Sequence, residues 1–127
     1  MTAMKLRILA ALVVAMGAIE PARAADDGFA AFWSKFAAAV AKDDKAALAS
    51  LTTLGPGLDD NDTPLTFEKV HSILLRPAAR RCLARAKPQS EIDGTGALTY
   101  AVLCGQVIYV FSKTDAVWRW TDASPDD

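Results

Sequence analysis

The sequence predicts an α+β fold in which N-terminal helices pack on a curved antiparallel sheet that ends in a three-stranded meander. Apolar residues recur at helical spacing before residue 87, and runs of β-branched and aromatic residues joined by short turns follow it. The 127 residues are 52% hydrophobic with a net charge of −1, so the chain is neither disordered nor strongly charged. This length predicts a single small domain.

Residues 1–24 have the pattern of a secretory signal peptide. Two cations precede an uncharged apolar run over 8–19, and small residues then lead to Ala24. A membrane-spanning helix needs about 20 apolar residues, so this run is short for a stable anchor. We expect cleavage after Ala24 and one α+β domain over 25–127, periplasmic or secreted. The alternative is an uncleaved anchor helix.

The composition of residues 25–127 excludes several classes of function. Cleavage removes three cations and one acidic residue, which changes the net charge from −1 to −3. Nucleic-acid-binding proteins carry a basic excess, so we expect no nucleic-acid partner. One histidine and two cysteines cannot make a four-ligand zinc site, and the common nucleotide-binding and hydrolase motifs are absent from the sequence. We therefore expect no metal and no cofactor.

The first predicted helix follows Asp26 and Asp27, either of which is a suitable N-cap. Its large apolar residues fall on one face, namely Phe29, Phe32, Trp33, Phe36 and Val40. Trp33 is the largest of them, and we expect it to pack against the sheet. Asp43 and Asp44 are predicted to end this helix and to cap a short second one over 45–51.

A Gly-Pro-Gly turn and an acidic loop over 59–62 separate the second helix from the third. The loop lacks the Gly and Glu spacing of an EF-hand, which favours a solvated turn over a calcium site. Thr66 is predicted to cap a third helix that carries Val70 and His71. Pro77 interrupts that helix, and a short helix or turn follows over 78–86.

The sequence of the last third of the chain predicts β-strands. We expect strands over 98–104, 107–112 and 117–121, an edge strand over 89–93, and a polar tail from residue 124. Cys82 and Cys104 are separated by 21 residues and therefore do not form a CxxC motif. In an oxidising compartment, this spacing favours a structural disulfide over a redox or free-thiol role.

A resemblance adds to this interpretation. It rests on the FxxFWxxF string from Phe29 to Phe36, the Leu51-Thr52 pair, the strand over 100–105 and the Trp118-Arg119-Trp120-Thr121 string. These residues resemble a family of small uncharacterised exported bacterial proteins whose topology is similar to the nuclear-transport-factor-like (cystatin-like) cone. The resemblance implies a cone of helices wrapped by a curved sheet. That fold hosts isomerases, dehydratases, ligand binders and adaptors, so it does not select a function.

Two groups of residues are candidate binding sites. Segment 76–87 concentrates five cations, and its guanidinium groups are suited to carboxylates or phosphates; the arginines are Arg76, Arg80, Arg81 and Arg85. Tyr100 and Tyr109 are candidates for lining an apolar pocket with polar hydroxyls. For both groups the alternative is an ordinary role, as a solvated face or as core packing. The lone His71 lacks a positioned nucleophile and is expected to be a half-exposed helix residue.

No catalytic constellation is present in the sequence, so we assign no catalytic residue. The sequence favours a non-catalytic exported domain that binds a small molecule or an envelope protein. One alternative is a small isomerase- or dehydratase-like enzyme, which requires a pocket carboxylate beside a tyrosine hydroxyl. Another is a structural or inhibitory envelope protein that acts through segment 76–87.

Overall fold

The protein has an α+β fold, seen in a computed structural model that describes residues 28–54 and 65–126. The predicted signal peptide, the predicted Asp26 or Asp27 cap, the predicted Gly-Pro-Gly turn and the predicted acidic loop lie outside the described residues. The chain divides into two compact units, 1–30 and 31–127, and residues 28–30 are the described part of the first.

Within the described residues there are four helices, each close to its predicted place. They are α1 (Phe29–Lys42), α2 (Lys45–Ser50), α3 (Phe67–Leu74) and α4 (Pro77–Arg85). The Thr66 side chain caps α3 by accepting a hydrogen bond from the Lys69 N–H, as predicted. Pro77 is the first residue of α4, where its missing N–H costs no helical hydrogen bond.

The junction between α1 and α2 is made by two aspartates. Asp43 adopts φ 54°, a left-handed conformation that ends α1 and that Asp tolerates better than most residues. The Asp44 carboxylate then accepts a hydrogen bond from the Ala47 N–H at 3.1 Å and caps α2. The prediction that these residues separate and cap the two helices is confirmed.

The sheet has four antiparallel strands in sequence order. They are β1 (Gln89–Ile92), β2 (Leu98–Cys104), β3 (Val107–Thr114) and β4 (Val117–Pro125). Gly105 begins the two-residue turn between β2 and β3 with φ 68°. Asp115 and Ala116 both have positive φ, the conformation that a type I′ turn between β3 and β4 requires.

The predicted polar tail is wrong, because β4 continues to Pro125. The register shifts between Val110 and Phe111, and beyond this bulge Ser124 pairs with Ile108. Strand pairing at the end of the sheet thus overrides the low strand propensity of Asp, Ser and Pro.

The core lies between the helices and one face of the sheet. Phe36 of α1 is fully buried and meets the Phe111 ring edge-on at 5.1 Å, with Trp120 at 6.1 Å. Trp33 contacts Phe111 at 5.3 Å but is only partly buried. Trp33 therefore packs on the sheet as expected, while Phe36 is the central residue of the contact. The cone curvature that the resemblance implies stays a prediction.

A short segment after α2 extends the sheet on its β4 side. The Thr53 N–H donates to the Trp120 carbonyl at 2.9 Å, and the Trp120 N–H donates to the Leu51 carbonyl at 2.9 Å. This parallel bridge joins the helical layer to the last strand.

Candidate functional site

A disulfide fixes α4 to the sheet. Cys82, in the middle of α4, is bonded to Cys104 at the end of β2, with a Cα–Cα distance of 5.8 Å. The predicted pairing is confirmed. Such a bond is compatible with an oxidising extracellular compartment. In the stretches 28–54 and 65–126, no helix has the length and apolar character needed to cross a membrane.

The four arginines of segment 76–87 have different environments. Arg76 is exposed at the N-cap of α4. Arg80 is partly buried, donates through Nη1 to the Leu75 carbonyl at 2.7 Å, and has its Nε 3.7 Å from Asp43 Oδ1. Arg81 and Arg85, one helical turn apart, are exposed and line the same groove. Of the four arginines, this pair lines that groove, and Arg76 and Arg80 do not.

That groove has a volume of about 620 Å³ and lies between α4 and the edge of β2. One side is formed by α4 and the residues after it, including Arg81, Cys82, Arg85 and Lys87. The other side is formed by Ala101, Val102 and Leu103 of β2, with Gln89 at the start of β1. We refer to this space as the basic groove. No acidic residue of the described ranges 28–54 and 65–126 lines it.

Three cations line the basic groove, namely Arg81, Arg85 and Lys87. Among the residues that the structure describes, no carboxylate lies within 4.0 Å of the Arg81, Arg85 or Lys87 side chains. A guanidinium group can hold a carboxylate or phosphate through two parallel hydrogen bonds. Arg80, Arg81 and Arg85 together line a second groove, of about 290 Å³, between α1 and α4. The arrangement is thus suited to an anionic group.

A polar cluster that the sequence does not predict surrounds His71. Its Nε2 lies 2.7 Å from Asp43 Oδ1, and the His71 side chain is only 12% exposed. The hydrogen bond from His71 lowers the pKa of Asp43, and the nearby charge of Arg80 acts in the same direction. The expectation of a half-exposed histidine understated its burial. The two residues are 28 apart in sequence, and no local pattern pairs them.

The candidate tyrosines lie within the packing of the sheet. Tyr109 is buried, and its hydroxyl donates to the Leu74 carbonyl at 2.7 Å, while burial raises its pKa. Tyr100 is partly buried and meets the Trp118 ring edge-on at 5.4 Å. Neither tyrosine lines the two grooves above or a third pocket, of about 260 Å³, between Ala49 and Val70.

The described part of the chain contains no group of three His, Cys, Asp or Glu side chains placed to hold a metal ion. Comparison of the whole chain with models of known protein families, with curated proteins and with solved structures finds no match.

Proposed function

We propose that this protein is an exported, non-catalytic binding domain whose basic groove takes an anionic group of a partner protein or small molecule. The observation that carries the proposal is the pair Arg81 and Arg85, joined by Lys87, around a groove to which the described part of the chain contributes no acidic residue. The disulfide supports it by fixing the α4 side of the groove to the β2 side.

The cations of the basic groove are concentrated on a domain whose net charge is negative. Residues 25–127 carry a net charge of −3, yet three cations meet at the basic groove. Three cations this close repel one another, and an anionic ligand relieves that repulsion. An acidic partner is thus attracted to this face although the domain as a whole repels it.

Export to the periplasm or outside the cell is the second part of the proposal. The signal-peptide pattern of residues 1–24 and the Cys82–Cys104 bond both support it. N-terminal sequencing of protein recovered from the producing cell's exterior is expected to begin at Ala25. Recovery of a chain that begins at Met1 in the membrane fraction would contradict export.

The binding test uses the disulfide-bonded domain and a fluorescent hexaglutamate peptide as the probe. The double variant Arg81→Gln/Arg85→Gln is expected to weaken binding by about tenfold or more, because charge-assisted hydrogen bonds are lost. The matched control is Arg76→Gln, which removes an exposed arginine outside the groove. Circular dichroism and thermal melting establish that both variants fold.

Added salt is expected to weaken the wild-type complex, because the attraction is between exposed charges. Equal loss of binding in the Arg76→Gln control, or unchanged binding in the double variant, would refute the basic groove as the site. The isomerase-like alternative gains no support from Tyr109, whose hydroxyl is engaged by the Leu74 carbonyl. The structural or inhibitory alternative shares the basic groove and differs only in the identity of the partner.

A further inference from the structure

The edge of β2 that borders the basic groove is longer than the strand that covers it. The ladder between β1 and β2 ends at the pair Gln89 and Ala101, while β2 continues to Cys104. If the same register continued past Gln89, Lys87 would lie opposite Leu103. Lys87 instead belongs to the segment that leaves α4, and Pro88 separates it from β1. The last residues of β2 therefore have no strand partner on the groove side in the described chain.

The backbone of Leu103 faces this uncovered edge. Cys104 and Val107 close the two-residue turn between β2 and β3, so their backbone groups bond to each other. Backbone groups alternate in direction along an antiparallel strand, and those of Leu103 consequently face away from β3. The Leu103 carbonyl is 3.9 Å from Cys82 Sγ, but a disulfide sulfur has no hydrogen to donate. Within residues 28–54 and 65–126, no backbone hydrogen bond from a turn or loop engages the Leu103 N–H or C=O, so both are available from the groove.

We propose that the basic groove binds an extended acidic peptide segment, which continues the line of β1 and pairs with the backbone of Leu103. The inference rests on the proposed function and specifies its partner. The occupant is a protein segment whose side-chain carboxylates reach Arg81 and Arg85 while its backbone adds to the β2 edge. Leu103 itself is 56% exposed, so its side chain does not close the groove.

Charge complementarity requires an anionic group in the ligand, whereas backbone pairing requires an extended peptide chain. A free anion satisfies the arginines alone, whereas an extended peptide also exchanges two backbone hydrogen bonds with Leu103. In an extended peptide, alternate N–H groups face the same edge. Only one of the two alternating sets can therefore pair with β2, and this asymmetry separates strand addition from simple electrostatic attraction.

The experiment compares three capped pentapeptides with glutamate at the first, third and fifth positions. The parent is unmodified, one analogue is N-methylated on the glutamates, and the other is N-methylated on the residues between them. We expect one analogue to bind about tenfold more weakly than the parent, because its edge hydrogen bonds are lost, and the other to bind within about twofold. Binding of the parent is also expected to slow amide hydrogen exchange at Leu103.

Other outcomes separate the two proposals. If both analogues match the parent and Arg81→Gln/Arg85→Gln still abolishes binding, the groove is an anion site and strand addition is wrong. If inorganic phosphate competes as strongly as the parent peptide, the same conclusion follows. If the arginine variant binds the parent unchanged, the proposed function itself is wrong. Equal weakening by both methylation patterns would also overturn pairing along one edge.

Discussion

The two ends of the sheet are held to the helices in different ways. At β3 and β4, the aromatic side chains of α1 pack on Phe111 and Trp120, and the contact is broad and apolar. At β1 and β2, α4 buries Leu83 and is joined by the Cys82–Cys104 bond, while every residue of β1 is exposed. At the end with the exposed edge strand, a covalent bond joins the helix to the sheet. Arg81 and Arg85 face solvent there, on the side of α4 away from the buried Leu83.

The largest expected effect comes from the aromatic end. Phe36→Ala should lower the free energy of unfolding by about 3–5 kcal/mol, because it removes a fully buried ring from the middle of the cluster. Trp33→Ala should cost less, because Trp33 is only partly buried. Ile73→Ala, at a residue 52% exposed, is the control and should change stability by less than about 0.5 kcal/mol.

Urea unfolding followed by circular dichroism measures these differences. A loss of less than about 1 kcal/mol for Phe36→Ala would show that the aromatic contact does not dominate the stability of this end.

Removing the disulfide should have the next largest effect. Replacing Cys82 and Cys104 with Ser should lower the free energy of unfolding by about 3 kcal/mol, as expected for a loop of this length. Because the disulfide lies at the β1–β2 end of the sheet, the loss of stability should appear there first. Amides of α4 and β1 should lose protection from hydrogen exchange before those of α1, β3 and β4. Uniform loss of hydrogen-exchange protection across both ends of the sheet would mean that the two ends unfold as one cooperative unit.

The smallest expected effect concerns the link between Asp43, His71 and Arg80, which joins the α1–α2 junction to α3 and α4. The pKa of Asp43 is lowered in the folded protein, chiefly by the hydrogen bond from His71. This group therefore adds stability above its unfolded pKa, and the contribution disappears as the pH falls through the folded pKa. Asp43→Asn should lower the melting temperature at neutral pH.

The difference between Asp43→Asn and the wild type should narrow in acid, below the ordinary pKa of Asp. Thermal melting between pH 2 and 7, approximately, measures it. A constant difference over that range would show that ionisation of Asp43 does not contribute to the link.

Local signals predict most of this fold. The bounds of β2 match the prediction, and Thr66 and Asp44 cap their helices, because capping and strand patterns depend on residues close in sequence. Local signals do not indicate the extension of β4 to Pro125, because it depends on pairing with β3 and on a bulge.

The candidate site is predictable only in part. Sequence spacing places Arg81 and Arg85 on one face of α4, and both line the basic groove. It does not indicate that Arg80 turns toward Asp43, because that contact depends on how α4 packs beside the end of α1. Nor does it reveal the uncovered edge at Leu103, which follows from where the β1–β2 ladder ends.

The bridge between Trp120 and residues 51–53 bears on aggregation. Unpaired strand edges are templates on which other chains add strands. At Trp120 the outward N–H and C=O of β4 are already bonded to Leu51 and Thr53, so a foreign strand cannot pair there. On the other side of the sheet, Pro88 lacks a donor and the exposed Glu91 places a charge on the edge strand, which discourages pairing along β1. Strand addition is therefore blocked at the middle of β4 and discouraged along β1, which leaves the end of β2 at Leu103 as an open edge.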